Sequence, residues 1–158
     1  MKSWLTAVVV GLGVVLGPMA TPAQAASICN QQNQTPKAYM CLWINGVGNN
    51  RYVVHVGIDV HGLTLAQAQE YIDDPGDPFV VAAITRNDRV LFTIPLVGLG
   101  ASAESGLSGD FEIEVPGSAL NENTQGADSV RARVWLIDRD TNQVIQIYKS
   151  EPIAGVWS

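Results

Sequence analysis

Two groups of aspartates are the residues of this chain best suited to chemistry. Asp73, Asp74 and Asp77 lie in one short polar segment, and Asp138 and Asp140 lie in another. Calcium takes six to eight oxygen ligands, which flexible acidic loops supply. If the fold brings both segments to one end of the molecule, their carboxylates repel one another unless a cation or wide spacing relieves them. We therefore expect calcium, and no organic cofactor, at these residues.

A second combination of residue types could hold a catalytic metal. His55, Asp59 and His61 alternate along one segment, and two histidines with a carboxylate can bind such an ion. A strand advances about 3.3 Å per residue, so His55 and His61 would lie about 20 Å apart, too far to share an ion. Asp59 and His61 remain as the pair on which a small metal-dependent enzyme could be built. The chain has no third histidine to complete that site.

The glycine-rich segment 98–109 contains two partial motifs. Residues 98–103 (GLGASA) match the letters of a dinucleotide-binding pattern, which requires a strand before it and a helix after it. Residues 106–110 (GLSGD) differ at one position from the G-x-S-x-G elbow of serine hydrolases. Neither motif lies in the strand and helix context that its chemistry requires. We interpret segment 98–109 as the longest loop and predict no catalytic residues.

The elements that must position these residues are β-strands. In segment 51–60, Tyr52, Val54, Val56, Ile58 and Val60 alternate with polar residues, and such alternation is typical of a half-buried strand. Strands are predicted at 38–45, 51–60, 79–85, 89–95, 110–115, 129–137, 143–150 and 153–157. Seven to eight short, mostly antiparallel strands separated by turns predict an all-β fold, a single β-sandwich.

One segment has helical rather than strand periodicity. Residues 64–67 (TLAQ) form a capping box, and Leu65, Ala68 and Ile72 recur at helical spacing. A short helix over 65–72 is predicted, and residues 73–76 (DDPG) end it.

Three short motifs resemble those of C2 domains. Residues 77–80 (DPFV) resemble the D-P-Y/F-V signature of that family, and residues 134–140 (VWLIDRD) resemble its later V-W-x-x-D-x-D loop. Segment 111–120 is similar to the intervening strand and turn. The resemblance covers residues 52–150 and implies a C2-like sandwich; from the strand pattern alone, an immunoglobulin-like sandwich is the alternative.

The resemblance also implies a set of calcium ligands. Carried over by position, the ligands are Asp77, Asp138 and Asp140. Tyr71 stands where the family carries a further ligand aspartate, so Asp73 or Asp74 would have to replace it. Gln146 stands where another acidic residue is usual.

The first 25 residues have the order of a cleavable signal peptide. Lys2 precedes an apolar run over 5–16, and residues 23–25 (AQA) provide small residues for cleavage. No other stretch approaches the length of a transmembrane helix. Cleavage would leave residues 26–158 as a single secreted domain with a net charge of about −7. Such a charge argues against binding nucleic acid or anionic membranes.

The two cysteines, Cys29 and Cys41, both lie in the predicted mature chain. In an oxidising compartment an even pair is expected to form a disulfide. This bond would tie the polar segment 30–34 to the strand that begins near residue 38.

These features predict a secreted, non-enzymatic binding or interaction domain that uses calcium. Its partner would be an extracellular protein or a glycan. A secreted inhibitor of an extracellular hydrolase is the alternative, in which the exposed loop 98–109 enters the cleft of the target. The metal-dependent enzyme built on Asp59 and His61 is a more distant alternative.

Overall fold

The computed structural model describes residues 25–121 and 126–157, so the predicted signal peptide lies outside the described residues except for Ala25. The elements, in chain order, are β1 (Ala26–Gln32), β2 (Lys37–Gly48), β3 (Arg51–His61), α1 (Leu65–Asp73), β4 (Phe79–Thr85), β5 (Val90–Ile94), β6 (Leu96–Ser102), β7 (Gly106–Pro116), α2 (Gly117–Leu120), β8 (Asp128–Asp138), β9 (Gln143–Lys149) and β10 (Ile153–Gly155).

The strands form two antiparallel sheets. Sheet A has the order β1-β2-β3-β7-β6. Sheet B has the order β10-β8-β4-β5, and β9 also pairs with β8. The predicted all-β sandwich is confirmed, and the described residues form ten strands instead of the expected seven or eight.

The core lies between the sheets and follows the alternation of the sequence. The alternating apolar residues of β3, from Tyr52 to Val60, are all at least nine-tenths buried. On sheet B, Val130, Ala132, Val134 and Leu136 are buried along β8. Removal of this apolar surface from water is the main force that holds the sheets together.

Helix α1 begins as its capping box predicts. The Thr64 hydroxyl accepts a hydrogen bond from the backbone N–H of Gln67, and the Gln67 side chain accepts one from the backbone N–H of Thr64. Ala68 is fully buried, whereas Leu65 is exposed. The helix packs against β6 and β7 and extends one residue beyond its predicted end.

The interpretation of segment 98–109 as a long loop is wrong. Its residues form the end of β6 and the start of β7, which pair as a hairpin with a turn at residues 103–105. Gly106 begins β7 at φ +73°, and a Cβ atom there would lie 2.1 Å from the carbonyl oxygen of Val60. Glycine therefore serves close packing of the backbone here, and the long flexible loop proposed for an inhibitor does not form.

The predicted disulfide is confirmed. Cys29 on β1 pairs directly with Cys41 on β2, and their Cα atoms are 4.0 Å apart. The bond therefore joins β1, an edge strand of sheet A that was not predicted, to its neighbour β2. It fits a protein that folds in an oxidising compartment.

The segment after β10 closes one part of the core. The indole of Trp157 is 3% exposed and packs edge-on against the ring of Tyr52, with ring centroids 5.4 Å apart. A Cβ atom on Gly155 would lie within 3 Å of the same indole. The end of the described chain is therefore part of the packed interior.

A buried tyrosine provides a test of this packing. The hydroxyl of Tyr148, a fully buried residue of β9, donates a hydrogen bond of 2.9 Å to the carbonyl oxygen of Pro36. Tyr148→Phe removes the donor and should lower the free energy of unfolding by about 1 kcal/mol. Urea denaturation measures this change, with Tyr39→Phe as the exposed control. An equal loss in both variants would contradict the described bond.

Candidate metal site

The end of α1 places one carboxylate at the candidate site. Asp74 caps the helix in an extended conformation (φ −65°, ψ 145°), and its backbone N–H donates to the carbonyl oxygen of Glu70. Pro75 follows, and a residue before proline is disfavoured in the helical region. The helix therefore stops where the Asp74 side chain can turn towards sheet B.

The β8–β9 turn places two more carboxylates. Asp138 is the last residue of β8, and its Oδ1 accepts hydrogen bonds from the backbone N–H groups of Asp140 and Thr141, at 3.0 and 3.2 Å. An aspartate that binds backbone two residues ahead is a common turn former. Asp138 therefore shapes the turn that positions Asp140.

These two elements bring three carboxylates together. One oxygen from each of Asp74, Asp138 and Asp140 lies within 4.8 Å of the others. Two ligands of one calcium ion are separated by up to about 5 Å, because each bond is about 2.3–2.6 Å long. The spacing therefore suits a single cation. We call these residues the aspartate triad.

The triad lines a cavity of about 210 Å³ between α1 and the β8–β9 turn. Its other walls are side chains of α1 and of the segment before it: Leu63, Gln67, Glu70 and Tyr71. The sequence prediction missed these residues, although positions 67, 70, 71 and 74 share one face at helical spacing. The helical spacing of these positions, together with the carboxylate of Asp74, could have indicated the cavity wall.

The electrostatics of the cavity show concentrated negative charge. Desolvation, followed by the charges of Asp140, Asp138 and Asp73, raises the pKa of Asp74 above its ordinary value. Burial and then the charge of Asp138 raise the pKa of Tyr71. Desolvation is the larger cause of both shifts, and the neighbouring negative charges add to it because like charges disfavour one another's ionised forms.

Arg139 does not neutralise the triad, although it lies between Asp138 and Asp140 in the sequence. Its guanidinium Nε donates to the backbone carbonyl oxygen of Asp77. A Cβ atom on Gly76 would lie 3.7 Å from the same Nε, so the arginine extends across the 74–77 turn.

Two of the five predicted aspartates lie outside the triad. Asp73 accepts a hydrogen bond from the side-chain amide of Gln69, at 2.9 Å. Asp77 borders a different cavity of about 190 Å³, whose walls include Phe79 and Phe111. Asp74 therefore occupies the place in the group that the motif comparison gave to Asp77.

Asp59 and His61, the alternative metal-binding pair, make other contacts. The Asp59 carboxylate accepts a hydrogen bond of 2.6 Å from the hydroxyl of Ser108 on β7, and His61 pairs with Lys37 at the end of β3. Among residues 25–121 and 126–157, the aspartate triad is the one group of three or more potential metal ligands at suitable spacing. Asp59 and His61 belong to no such group there.

Comparisons of this chain with protein-family models, with curated proteins and with solved structures find no match. The resemblance to C2 domains therefore stays a prediction. Within the described parts of the chain, no helix has both the length and the hydropathy that a membrane span requires.

The raised pKa of Asp74 has a testable consequence. Ionised Asp74 disfavours the folded state at neutral pH, and this cost disappears as the pH falls through its raised pKa. Asp74→Asn should therefore slightly increase the melting temperature at pH 7 in EDTA. The increase should vanish well below pH 3.8, the ordinary pKa of the group.

Thermal melts of wild type and variant across this pH range measure the effect. Asp77→Asn removes the same charge outside the triad and is the matched control. A variant less stable than wild type at pH 7 would show that the Asp74 carboxylate stabilises the apo protein.

Proposed function

We propose that this chain is a secreted, non-enzymatic binding domain that uses calcium held by the aspartate triad. The single observation that carries the proposal is the meeting of carboxylates from two distant segments beside a cavity. Asp74 comes from the end of α1, and Asp138 and Asp140 come from the β8–β9 turn. Desolvation, and after it the charges of Asp140 and Asp138, raise the pKa of Asp74, and a bound cation would offset the repulsion between these charges.

The donor set favours calcium among the common metals. All three side chains offer carboxylate oxygens, the ligands of hard cations, whereas zinc and copper favour histidine and cysteine. Three aspartates supply three to six of the six to eight oxygens that calcium takes. Glu70 and Gln67 on the cavity wall, water, or a partner would supply the rest.

A role in binding follows from the position of the site. An ion there would link α1 to the β8–β9 turn, two parts of the surface that otherwise carry charges of the same sign. Open coordination positions facing the cavity would accept oxygens from an extracellular protein or glycan. Export rests on the predicted signal peptide and agrees with the disulfide between Cys29 and Cys41.

Calcium binding should stabilise the folded protein. If the calcium concentration is about tenfold above the dissociation constant, the gain is about 1.4 kcal/mol, which raises the melting temperature by about 3–6 °C. Differential scanning calorimetry with millimolar calcium, with magnesium in parallel, measures the shift. Asp74→Asn and Asp140→Asn should abolish it.

The controls separate the triad from the ligand set implied by the C2 resemblance. Asp138 is unsuitable for mutation because it also shapes the turn. Asp77→Asn should retain the full calcium shift. Loss of the shift in Asp77→Asn alone would favour the C2-like ligand set, and absence of any shift in wild type would remove the proposal.

A further inference from the structure

The outer face of sheet A carries an unusual set of side chains. Cross-strand pairing arranges them in three rows, in the order β1-β2-β3-β7-β6. The first row is Gln31, Tyr39, Asp59, Ser108 and Gly100; the second is Cys29, Cys41, Gly57, Asp110 and Gly98; the third, across four strands, is Ser27, Trp43, His55 and Glu112. We call these three rows the polar face. They contain aromatic rings, carboxylates and glycines but no aliphatic side chain.

Two aromatic rings lie on the polar face along one strand. Tyr39 and Trp43 are four residues apart on β2, so they point to the same side about 13 Å apart. Tyr39 is 45% exposed. The neighbouring residues Met40 and Leu42 are fully buried, which confirms that the aromatic positions face outwards.

Glycine determines where the Trp43 ring lies. A Cβ atom on Gly57 would be 3.4 Å from Cζ3 of Trp43 and 3.4 Å from Oδ1 of Asp110. The indole and the carboxylate therefore approach each other over a position without a side chain. His55, the cross-strand partner of Trp43, packs edge-on against the indole, with ring centroids 5.0 Å apart.

Two glycines of β6 continue these rows, and one of them leaves open space. Gly98 on β6 follows Asp110 in the second row, and Gly100 follows Ser108 in the first. The Asp110 side chain covers Gly98, since a Cβ atom there would lie 3.5 Å from Cβ of Asp110. A Cβ atom on Gly100 would meet nothing within 4 Å, so the space above it is open. The outer face beside Ser108 therefore has room for a ligand at the β6 edge of the sheet.

The carboxylates of the face retain hydrogen-bonding capacity. The Asp110 side chain is 60% exposed, and its Oδ1 lies 3.4 Å from Nε2 of His55. Glu112 approaches Nδ1 of the same ring at 3.3 Å. An ionised carboxylate has about four acceptor sites, so these contacts leave several for hydroxyl donors.

We propose that the polar face binds a neutral glycan chain. The C–H groups on one side of a sugar ring are apolar and electropositive, and they would stack on the indole of Trp43 and the ring of Tyr39, whose faces are negative. Sugar hydroxyls would donate to Asp110 and Asp59 in charge-assisted hydrogen bonds. The same carboxylates would repel uronic acid or sulfated chains.

The opposite surface of the molecule has different chemistry. On the outer face of sheet B, Trp135 pairs with Val80 and Ile147, and the Arg133 guanidinium lies 5.4 Å from the centre of its ring. Its neighbours are thus aliphatic and cationic, without carboxylates paired beside the ring. Trp135 is therefore a matched aromatic control for Trp43.

This proposal names a partner class for the binding domain, but it does not depend on the calcium site. The polar face lies on sheet A, whereas the triad lies between α1 and the β8–β9 turn. Glycan binding is therefore expected in EDTA as well as in calcium. If the protein binds glycan but does not respond to calcium, that result would support this inference and contradict the calcium proposal.

Isothermal titration calorimetry tests the proposal with linear neutral oligosaccharides: cellohexaose, xylohexaose, mannohexaose and N-acetylchitohexaose. At least one should bind to the purified protein in EDTA, and hexagalacturonate should bind more weakly. Trp43→Ala should weaken binding by roughly tenfold, because it removes the stacking surface. Asp110→Asn should also weaken it, and Trp135→Ala should leave it unchanged.

Tyr39→Ala is a second variant in case Trp43→Ala does not fold. The Tyr39 side chain is 45% exposed and lies outside the buried core. Circular dichroism verifies the fold of each variant. Three results would overturn the proposal: no binding of any neutral hexasaccharide at millimolar concentration, tighter binding of hexagalacturonate, or equal loss of affinity in Trp135→Ala and Trp43→Ala.

Discussion

The burial of alternate side chains between two sheets controls the rest of this structure. In β3, Val54, Val56 and Val60 are fully buried, so the residues between them must face water. A shift of one residue in pairing would exchange the two faces and expose the core, so the register is strongly specified. That register places His55 opposite Trp43 on one side and opposite Glu112 on the other. The polar face is therefore a consequence of how the core packs.

The aspartate triad depends on a different part of the same constraint. Because β4 pairs with β8 along the whole of β4, and the pairing is antiparallel, the start of β4 lies beside the end of β8. Helix α1 leads into β4, so its last residues meet the β8–β9 turn. The carboxylates come from segments whose like charges oppose their contact, and the apolar packing of sheet B brings them together. This repulsion is the cost that the proposed cation would offset.

Much of this architecture could be predicted from local patterns. Alternation identified β3, β7 and β8, the capping box identified α1, and the cysteine pair identified the disulfide. The prediction failed where local composition and tertiary role disagree. The glycines of β6 suggested a loop because glycine is unfavourable in strands, yet β6 pairs along the edge of sheet A. Strand β1 is rich in polar residues and therefore lacks the apolar alternation that predicts a strand. Its partner β2 contributes more of the buried residues.

The type of the site residues could be predicted from the sequence, but which of the aspartates come together could not. The sequence pointed to acidic residues at both segments, and the choice of Asp74 over Asp77 depends on how the chain turns after α1. Trp43 and Asp110, which both lie close to Gly57, come from strands β2 and β7, far apart in sequence. Such contacts are decided by strand pairing, which single-sequence patterns do not report.

The position of Trp157 bears on how the chain folds. Its indole fills the interior beside Tyr52, more than 100 positions earlier in the sequence, so this part of the core is completed only when both segments are present. Strand β4 likewise needs β8, and few of these contacts are local, which is typical of slow folding. A nascent chain of this kind would stay open until β8 and Trp157 have been synthesised. If the predicted signal peptide directs export, this delay would keep the polypeptide unfolded for translocation.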